Sequence, residues 1–233
     1  MTVSRAPGET RSRAGAGRRV RHVRRDGGPH PAIMAAMPSD DAGLPDTGRT
    51  AGSPAAPPAL ATERLRGERL GPEHLAALAP ILGDPRVGAT LGGVQNPDEI
   101  ARMLEQAAEE WRRDGVGYWM FFEIATGSPV ARGGLSHAVF AGRREVEVGW
   151  TVAPDRWGEG FATELGAAAV DVAFGVLELD DVVAYTLPHN AASRRVMEKL
   201  GFVHERTAPY KEFGDHVLYR LAAGMHAGAR RSG

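Results

Sequence analysis

The segment EVEVGWTVAPDRWGEGFATE, Glu145 to Glu164, constrains the fold of this chain more than any other stretch. Apolar and polar residues alternate through EVEVGWTVA, the period of a strand. Two glycines follow in x-Gly-x-Gly-x form at Gly158 and Gly160. An Ala-rich run then places Ala162, Leu165, Ala169, Val172, Ala173 and Val176 along one helical face, predicting a helix from about Gly160 to Leu177. A strand that turns on glycines into a helix presents free backbone N–H groups and a positive dipole end. A tight turn, close backbone packing and anion binding all produce such a pattern. Two phosphate-binding alternatives fail on spacing. A dinucleotide fingerprint needs a third glycine where Thr163 stands, and the Gly-Lys-Ser/Thr of a P-loop is absent.

Upstream, TERLRGERL alternates as a strand and Pro72 opens a helix carrying Leu75, Leu78 and Leu82. NPDEIARMLEQAAEEWRRDG predicts a second helix. Asn96 caps it, Pro97 suits its first turn, Asp98 and Glu99 favour its positive end, and Gly115 stops it. GYWMFFEIA, VARGGLSHAVF and REVEVGWTVA read as an antiparallel meander turning at TGSP and AGRR. DDVVAYTL is a short buried strand, and NAASRRVMEKLGF is a helix capped by Asn190 and closed by Gly201. Two more strands lie near Val203–Arg206 and Val217–Leu221. The order from Glu63, β α α β β β α β α β β, predicts one α/β domain with a mixed sheet over 61–221.

Residues 1–60 have a different texture. They are rich in Pro, Gly, Ala and Arg, contain no aromatic residue, and predict a disordered tail. Met34 and Met37 offer alternative translation starts to Met1, and residues 222–233 are expected to be a flexible C-terminal tail. The net charge of −1 divides into +6 over residues 1–30, from eight Arg against Glu9 and Asp26, and −7 over the remainder. The basic arm has no aromatic for base stacking, so no specific nucleic-acid partner is expected. No apolar run approaches membrane-spanning length and no signal sequence is visible. Cysteine is absent, which excludes a disulfide, a cysteine nucleophile and a thiolate metal site and fits a cytoplasmic protein. No HExxH-like spacing exists, so no metal is expected.

The pair WGEGFATE and NAASRRVMEKLGF, with the opening TERLRGERLGPEHLAAL and DPRVGATLGG, resembles the GNAT superfamily of N-acetyltransferases over roughly residues 61–221. The likeness is greatest to the branch that holds the ribosomal-protein-alanine N-acetyltransferases. The resemblance implies the GNAT acyl-CoA N-acyltransferase fold and transfer of acetyl from acetyl-CoA to a primary amine by direct attack in a ternary complex. The acceptor would be a protein N-terminus or a small-molecule amine. It implies that the turn from Arg156 through Trp157, Gly158, Glu159, Gly160, Phe161, Ala162 and Thr163 cradles the pyrophosphate. Val152 and Ala153 would carry the pantetheine arm on their backbone, and Asn190 would touch it as well as cap its helix. The family usually has Gln or Arg where Asp155 stands; Arg156 is one place later. A non-catalytic acyl-CoA-binding module and a transferase of another acyl group are the alternatives, and a monomer or a homodimer is expected.

An amine with a pKa of ~8 to ~10.4 arrives protonated at neutral pH, so the chemistry needs a base and stabilisation of the oxyanion and thiolate. Glu145, Glu147 and Gly149 share one face of their strand. By resemblance Glu147 is the base; otherwise it is a solvated or salt-bridged strand residue. Ser193, one turn into its helix, and Tyr210, a phenol beyond it, are candidate proton donors to the leaving thiolate. His189 and His204 read as surface or packing residues. Trp111, Tyr118 and Trp119, with the 84–99 segment, would build the acceptor side if they are not simply core.

Overall fold

The computed structural model describes residues 54–140, 142–210 and 213–226. Most of the expected N-terminal tail, with Met34 and Met37, and residues 227–233 lie outside them. In chain order the elements are β1 (Ala59–Ala61), β2 (Leu65–Arg69), a 3-10 turn over Pro72–His74, α1 (Leu75–Leu82), α2 (Pro85–Leu91), α3 (Pro97–Asp114), β3 (Tyr118–Glu123), β4 (Pro129–Phe140) and β5 (Arg143–Val152). A 3-10 turn over Pro154–Arg156 then leads to α4 (Phe161–Gly175), β6 (Asp181–Thr186), α5 (Ala191–Lys199), β7 (Val203–Pro209) and β8 (Asp215–Ala222).

The strands form one sheet in the order β1-β2-β3-β4-β5-β6-β8-β7. The mixed sheet expected from the sequence is present: neighbours are antiparallel except β5 and β6, which run parallel. Helix α4 packs across β4 and β5 on one face and touches α5; α1 and α3 pack together on the other. The α4 side buries Trp119, Phe121, Leu135, Val148 and Phe161; the α3 side buries Ile100, Leu104, Tyr118 and Met120.

Local chemistry explains most boundaries. Asn96 Oδ1 accepts from Glu99 N while Glu99 Oε2 accepts from Asn96 N, a reciprocal cap for α3, and Gly115 ends it at φ 65°. Helix α4 ends two residues earlier than its periodicity predicts and starts one later, with Gly160 as its cap. Val176 is 42% exposed just past its end, where the chain leaves the sheet surface after Gly175, and Ala162 in its first turn is only half-buried. Two elements were not legible in the spacing. Helix α2 has only seven residues, with Gly88 inside it, too short for a periodic stripe; its Asp84 cap, Pro85 and left-handed Gly92 fix it instead. Strand β1 lies across the expected boundary at residue 60, and Ala56 before it is 2% exposed. Beyond β8 one helical turn continues over 223–226, where His226 Nε2 lies 3.0 Å from Asp171.

Candidate active site

Parallel strands β5 and β6 pair only at Glu147 and Val183. Beyond that point they part, and a cleft of about 390 Å³ opens between Val148–Val152 on one side and Tyr185–Leu187 on the other. The N-terminus of α4 and the first turn of α5 close its far wall, and Val87, Thr90 and Leu91 of α2 cover one side. Stretches of β5 and β6 backbone beside the opening therefore lack a ladder partner across it, the condition under which an extended ligand can add its own hydrogen bonds.

The glycine turn forms the mouth. Gly158 and Gly160 sit at φ 85° and 88°, the left-handed region that favours glycine. A Cβ on Gly158 would meet nothing within 4 Å, and one on Gly160 only Arg64 Nη2 at 3.5 Å, so the turn faces open space. Helix α4 has no side-chain cap, which leaves its leading N–H groups to the cleft. The turn is held from behind. Arg64 and Arg156 lie over the Phe161 ring at 4.4 and 4.8 Å. Arg64 donates to Glu159 O and Glu164, and Arg156 to Glu123 and Glu159. The Arg156 and Glu159 side chains are thus paired with each other, and Glu159 does not line the cleft. Arg156, Trp157, Gly158, Gly160, Phe161, Ala162 and Thr163 do line it, as does Val152; Ala153 does not. Asp155 instead meets Arg86 at the start of α2, with 3.1 Å between Oδ1 and Nη2.

Glu147 stands where the strands part, 1% exposed and on the cleft wall. Burial pushes its carboxyl up to about 8, against the opposing pull of a Tyr185 hydrogen bond and the Arg132 charge, while nearby Glu110 raises it further. Tyr185 Oη lies 2.9 Å from Tyr210 Oη, so the phenols and the carboxyl form one chain. Glu145, on the same strand face, is engaged elsewhere: Arg220 Nη2 lies 2.8 Å from its Oε1.

Asn190 Oδ1 accepts from Ser193 N and its Nδ2 donates to Thr186 Oγ1, so it caps α5 and ties it to β6. Both Asn190 and Ser193 line the cleft. Tyr210 does not: it is 5% exposed and hydrogen-bonds Tyr185, which lines the cleft. The aromatic trio expected on the acceptor side is core instead. Trp111 and Trp119 pack edge to face at 5.0 Å, and Tyr118 is 2% exposed behind the sheet. Tyr185, Thr186 and His216 are the wall residues that the sequence left unmarked. Alternation places Tyr185 on one face of β6, but only the parallel pairing to β5 brings it to Glu147. Among the described residues no cluster of His, Cys, Asp and Glu could hold a metal ion, and no helix is long and apolar enough to cross a membrane.

A sheet opened between two parallel strands, with a bare helix N-terminus at the opening, is the architecture of coenzyme-A-dependent acyltransferases. Residues 64–203 match the acetyltransferase (GNAT) domain family, and the chain belongs to it. It is therefore an acetyltransferase of the acetyl-CoA-dependent, amine-directed kind. The Bacillus subtilis protein YkkB is 26% identical over 149 residues, 64% of this chain and 87% of that protein. An acetyltransferase from Agrobacterium tumefaciens superimposes with a TM-score of 0.61 at 28% identity, covering 74% of this chain and 99% of its own. The ribosomal-protein-S5-alanine acetyltransferase of Vibrio fischeri shares the fold, with a TM-score of 0.60 at 16% identity over 71% and 96% of the two chains.

Proposed function

We propose that this enzyme transfers acetyl from acetyl-CoA to the primary amine of a protein N-terminus or small molecule by direct attack in a ternary complex, with Glu147 as base. The observation that carries this reading is the placement of a buried carboxylate at the split between β5 and β6, on the wall of the cleft whose mouth is the glycine turn. The turn and the first N–H groups of α4 suit a pyrophosphate, because they offer donors, a positive dipole end and room where a side chain would intrude. The cleft edge of β5 leading to Val152 would take the pantetheine amides, with Asn190 opposite; Ala153, whose N donates to Val130 O, lies off the cleft.

Glu147 removes a proton from the ammonium, and the neutral nitrogen attacks the thioester carbon. The C–N bond forms and the C–S bond breaks; the thiolate takes a proton from a hydroxyl donor, and that donor recovers one from the attacking nitrogen, which is left as a neutral amide. Ser193 serves as that donor: its hydroxyl lies on the cleft and makes no hydrogen bond to a described residue, whereas Tyr210 is buried behind Tyr185. Tyr210 acts instead by orienting Tyr185 toward Glu147. A panel of amines and peptides scored by free-thiol release from acetyl-CoA tests the reading. Acceptor-dependent release supports it. Tight coenzyme binding without release from any acceptor would make the chain a binding module, and release only from another acyl-CoA would reassign the donor.

A further inference from the structure

Each turnover of a protonated amine releases one net proton: ammonium and acetyl-CoA become amide, free thiol and H⁺. Glu147 is 1% exposed, and its cleft side is where the proposed reading seats both substrates. The proton must therefore leave by another route, and the face of the sheet covered by α3 holds one. Strand register places Ser136 opposite Glu147, Gly134 opposite Gly149, and Arg132 opposite Thr151, with Tyr118 beside Gly134 from β3. The two glycines put no side chain between the polar pairs. Along this row Glu147 Oε2, Ser136 Oγ, Tyr118 Oη, Thr151 Oγ1 and Arg132 Nε and Nη2 are all buried without a hydrogen-bond partner.

So many orphaned polar atoms in contiguous positions are rare in a native interior, and bridging water is their usual explanation. Arg132 is the most demanding of them. Its guanidinium is 1% exposed; Nη1 makes a weak contact with Met103 Sδ at 2.9 Å, and the group lies over the Tyr118 ring at 5.6 Å. Beside it lies a cavity of about 10 Å³, room on the order of one water, lined by Leu70, Met103, Gln106, Glu110, Tyr118 and Arg132. Glu110, which lines that cavity, is half-buried on α3 and forms no ion pair with a described residue.

We propose that this row is a water-bridged proton exit from Glu147 to Glu110, in which Arg132 balances the charge of whichever carboxyl is ionised. The inference rests on the acetyl-transfer reading for its source of protons. Protonated Glu147 passes its proton along the row to the Glu110 carboxylate, which releases it to solvent, and Glu147 is again a base. The groups that act on Glu147 are Tyr118 from β3, Arg132 from β4, Glu110 from α3 and Tyr185 from β6, with Tyr210 after β7 and His216 from β8 packed against Tyr185. Those around Glu110 are Arg113 and Asp114 on its own helix and Arg132. Burial also lifts the Glu110 carboxyl, to about 7, within one unit of its proposed partner. Glu110 is a positioning residue in this scheme, since it touches neither substrate.

The test compares Glu110→Gln, Glu110→Asp and Arg132→Met with the unaltered enzyme by carboxyl ¹³C NMR titration and by the pH–rate profile. Removing the Glu110 charge should move the Glu147 titration to lower pH, and removing the Arg132 charge should move it to higher pH. With Glu110→Gln, kcat should fall about tenfold with acetyl-CoA affinity unchanged, and Glu110→Asp should restore much of it. A merely structural role would lower the rate without opposite titration shifts. Titration of Glu147 unmoved by Glu110→Gln would overturn the coupling whatever the activity, because that reading needs no turnover. Shifted titration with unchanged kcat would overturn the exit alone. If Arg132→Met does not fold, the Glu110 pair decides both points. Failure of the acetyl-transfer reading is distinguishable: the unaltered enzyme would then release no thiol with any amine.

Discussion

Glu147 gathers the conflicting demands of the site into one side chain. A base for an ammonium must be ionised when the substrate arrives, yet burial favours its neutral form and lifts it to about 8. The lift brings its basicity near that of an α-amino group, where proton transfer is close to balanced. The turnover rate should therefore climb with pH up to about 8, as the carboxylate fraction grows. Glu147→Gln should lose that limb and about 10²-fold or more in kcat at pH 8, while coenzyme affinity measured by calorimetry stays within twofold of the unaltered enzyme. Near wild-type turnover in a folded variant would remove Glu147 from the mechanism. The same residue leaves a mark on stability. Its folded pKa exceeds that of the unfolded chain, so the folded state binds the proton more tightly. That contribution is complete below about 4.5 and is lost as pH rises through about 8. Thermal melts of Glu147→Gln should accordingly show a weaker decline between pH 5 and pH 9 than those of the unaltered protein.

At the scale of elements, the turn into α4 is an anion site only because its backbone stays bare. Gly160 combines a left-handed φ with open space in front of it, whereas the paired Arg64 and Arg156 hold the turn from behind. Gly160→Val places a branched side chain against Arg64 and strains the backbone by roughly 1–2 kcal/mol, which shifts the leading N–H groups of α4. Acetyl-CoA affinity should fall tenfold or more, about 1.4 kcal/mol. Calorimetric titration with acetyl-CoA, alongside a melting curve, checks this; unchanged affinity in the folded variant would place the pyrophosphate elsewhere. Helix α2 meets the same turn through Arg86 and Asp155, an exposed pair whose direct energetic value is small. The departure from the expected Gln or Arg at Asp155 goes with this contact to α2, whose Val87, Thr90 and Leu91 cover one side of the cleft.

For the whole molecule, the N-terminal boundary is decided by packing rather than by composition. Pro57 O accepts from Trp119 Nε1, Ala56 N donates to Gly115 O, and β1 extends the sheet beyond β2. A chain beginning at Pro54 should melt with the full-length protein. One beginning at Glu63 loses the edge strand and the cover over Trp119. It should melt at least about 3 °C lower, the shift that ~1 kcal/mol produces in a domain of this size. Equal melting of both would show that β1 is an ornament of the fold.

Periodicity and punctuation were enough to place most of the elements. Asn96, Gly115, Asn190 and Gly201 act on their immediate neighbours, so α3 and α5 were legible at their ends, and the alternation of β5 put Glu145 and Glu147 on one face. The glycine turn was legible for the same reason, since positive φ is a local demand. Short elements such as α2 and β1 were hidden because they are held by contacts across the fold rather than by a repeating pattern. The division of labour between the two glutamates was also invisible: Arg220, distant in the chain, occupies Glu145, while Tyr185 and Arg132 converge on Glu147. Burial, and with it basicity, depends on what other strands and helices remove from water. The amino-acid sequence by itself determined the strand, turn and helix that make a coenzyme site. Only the tertiary structure, by parting β5 from β6 at one residue, decided which carboxylate stands in the opening.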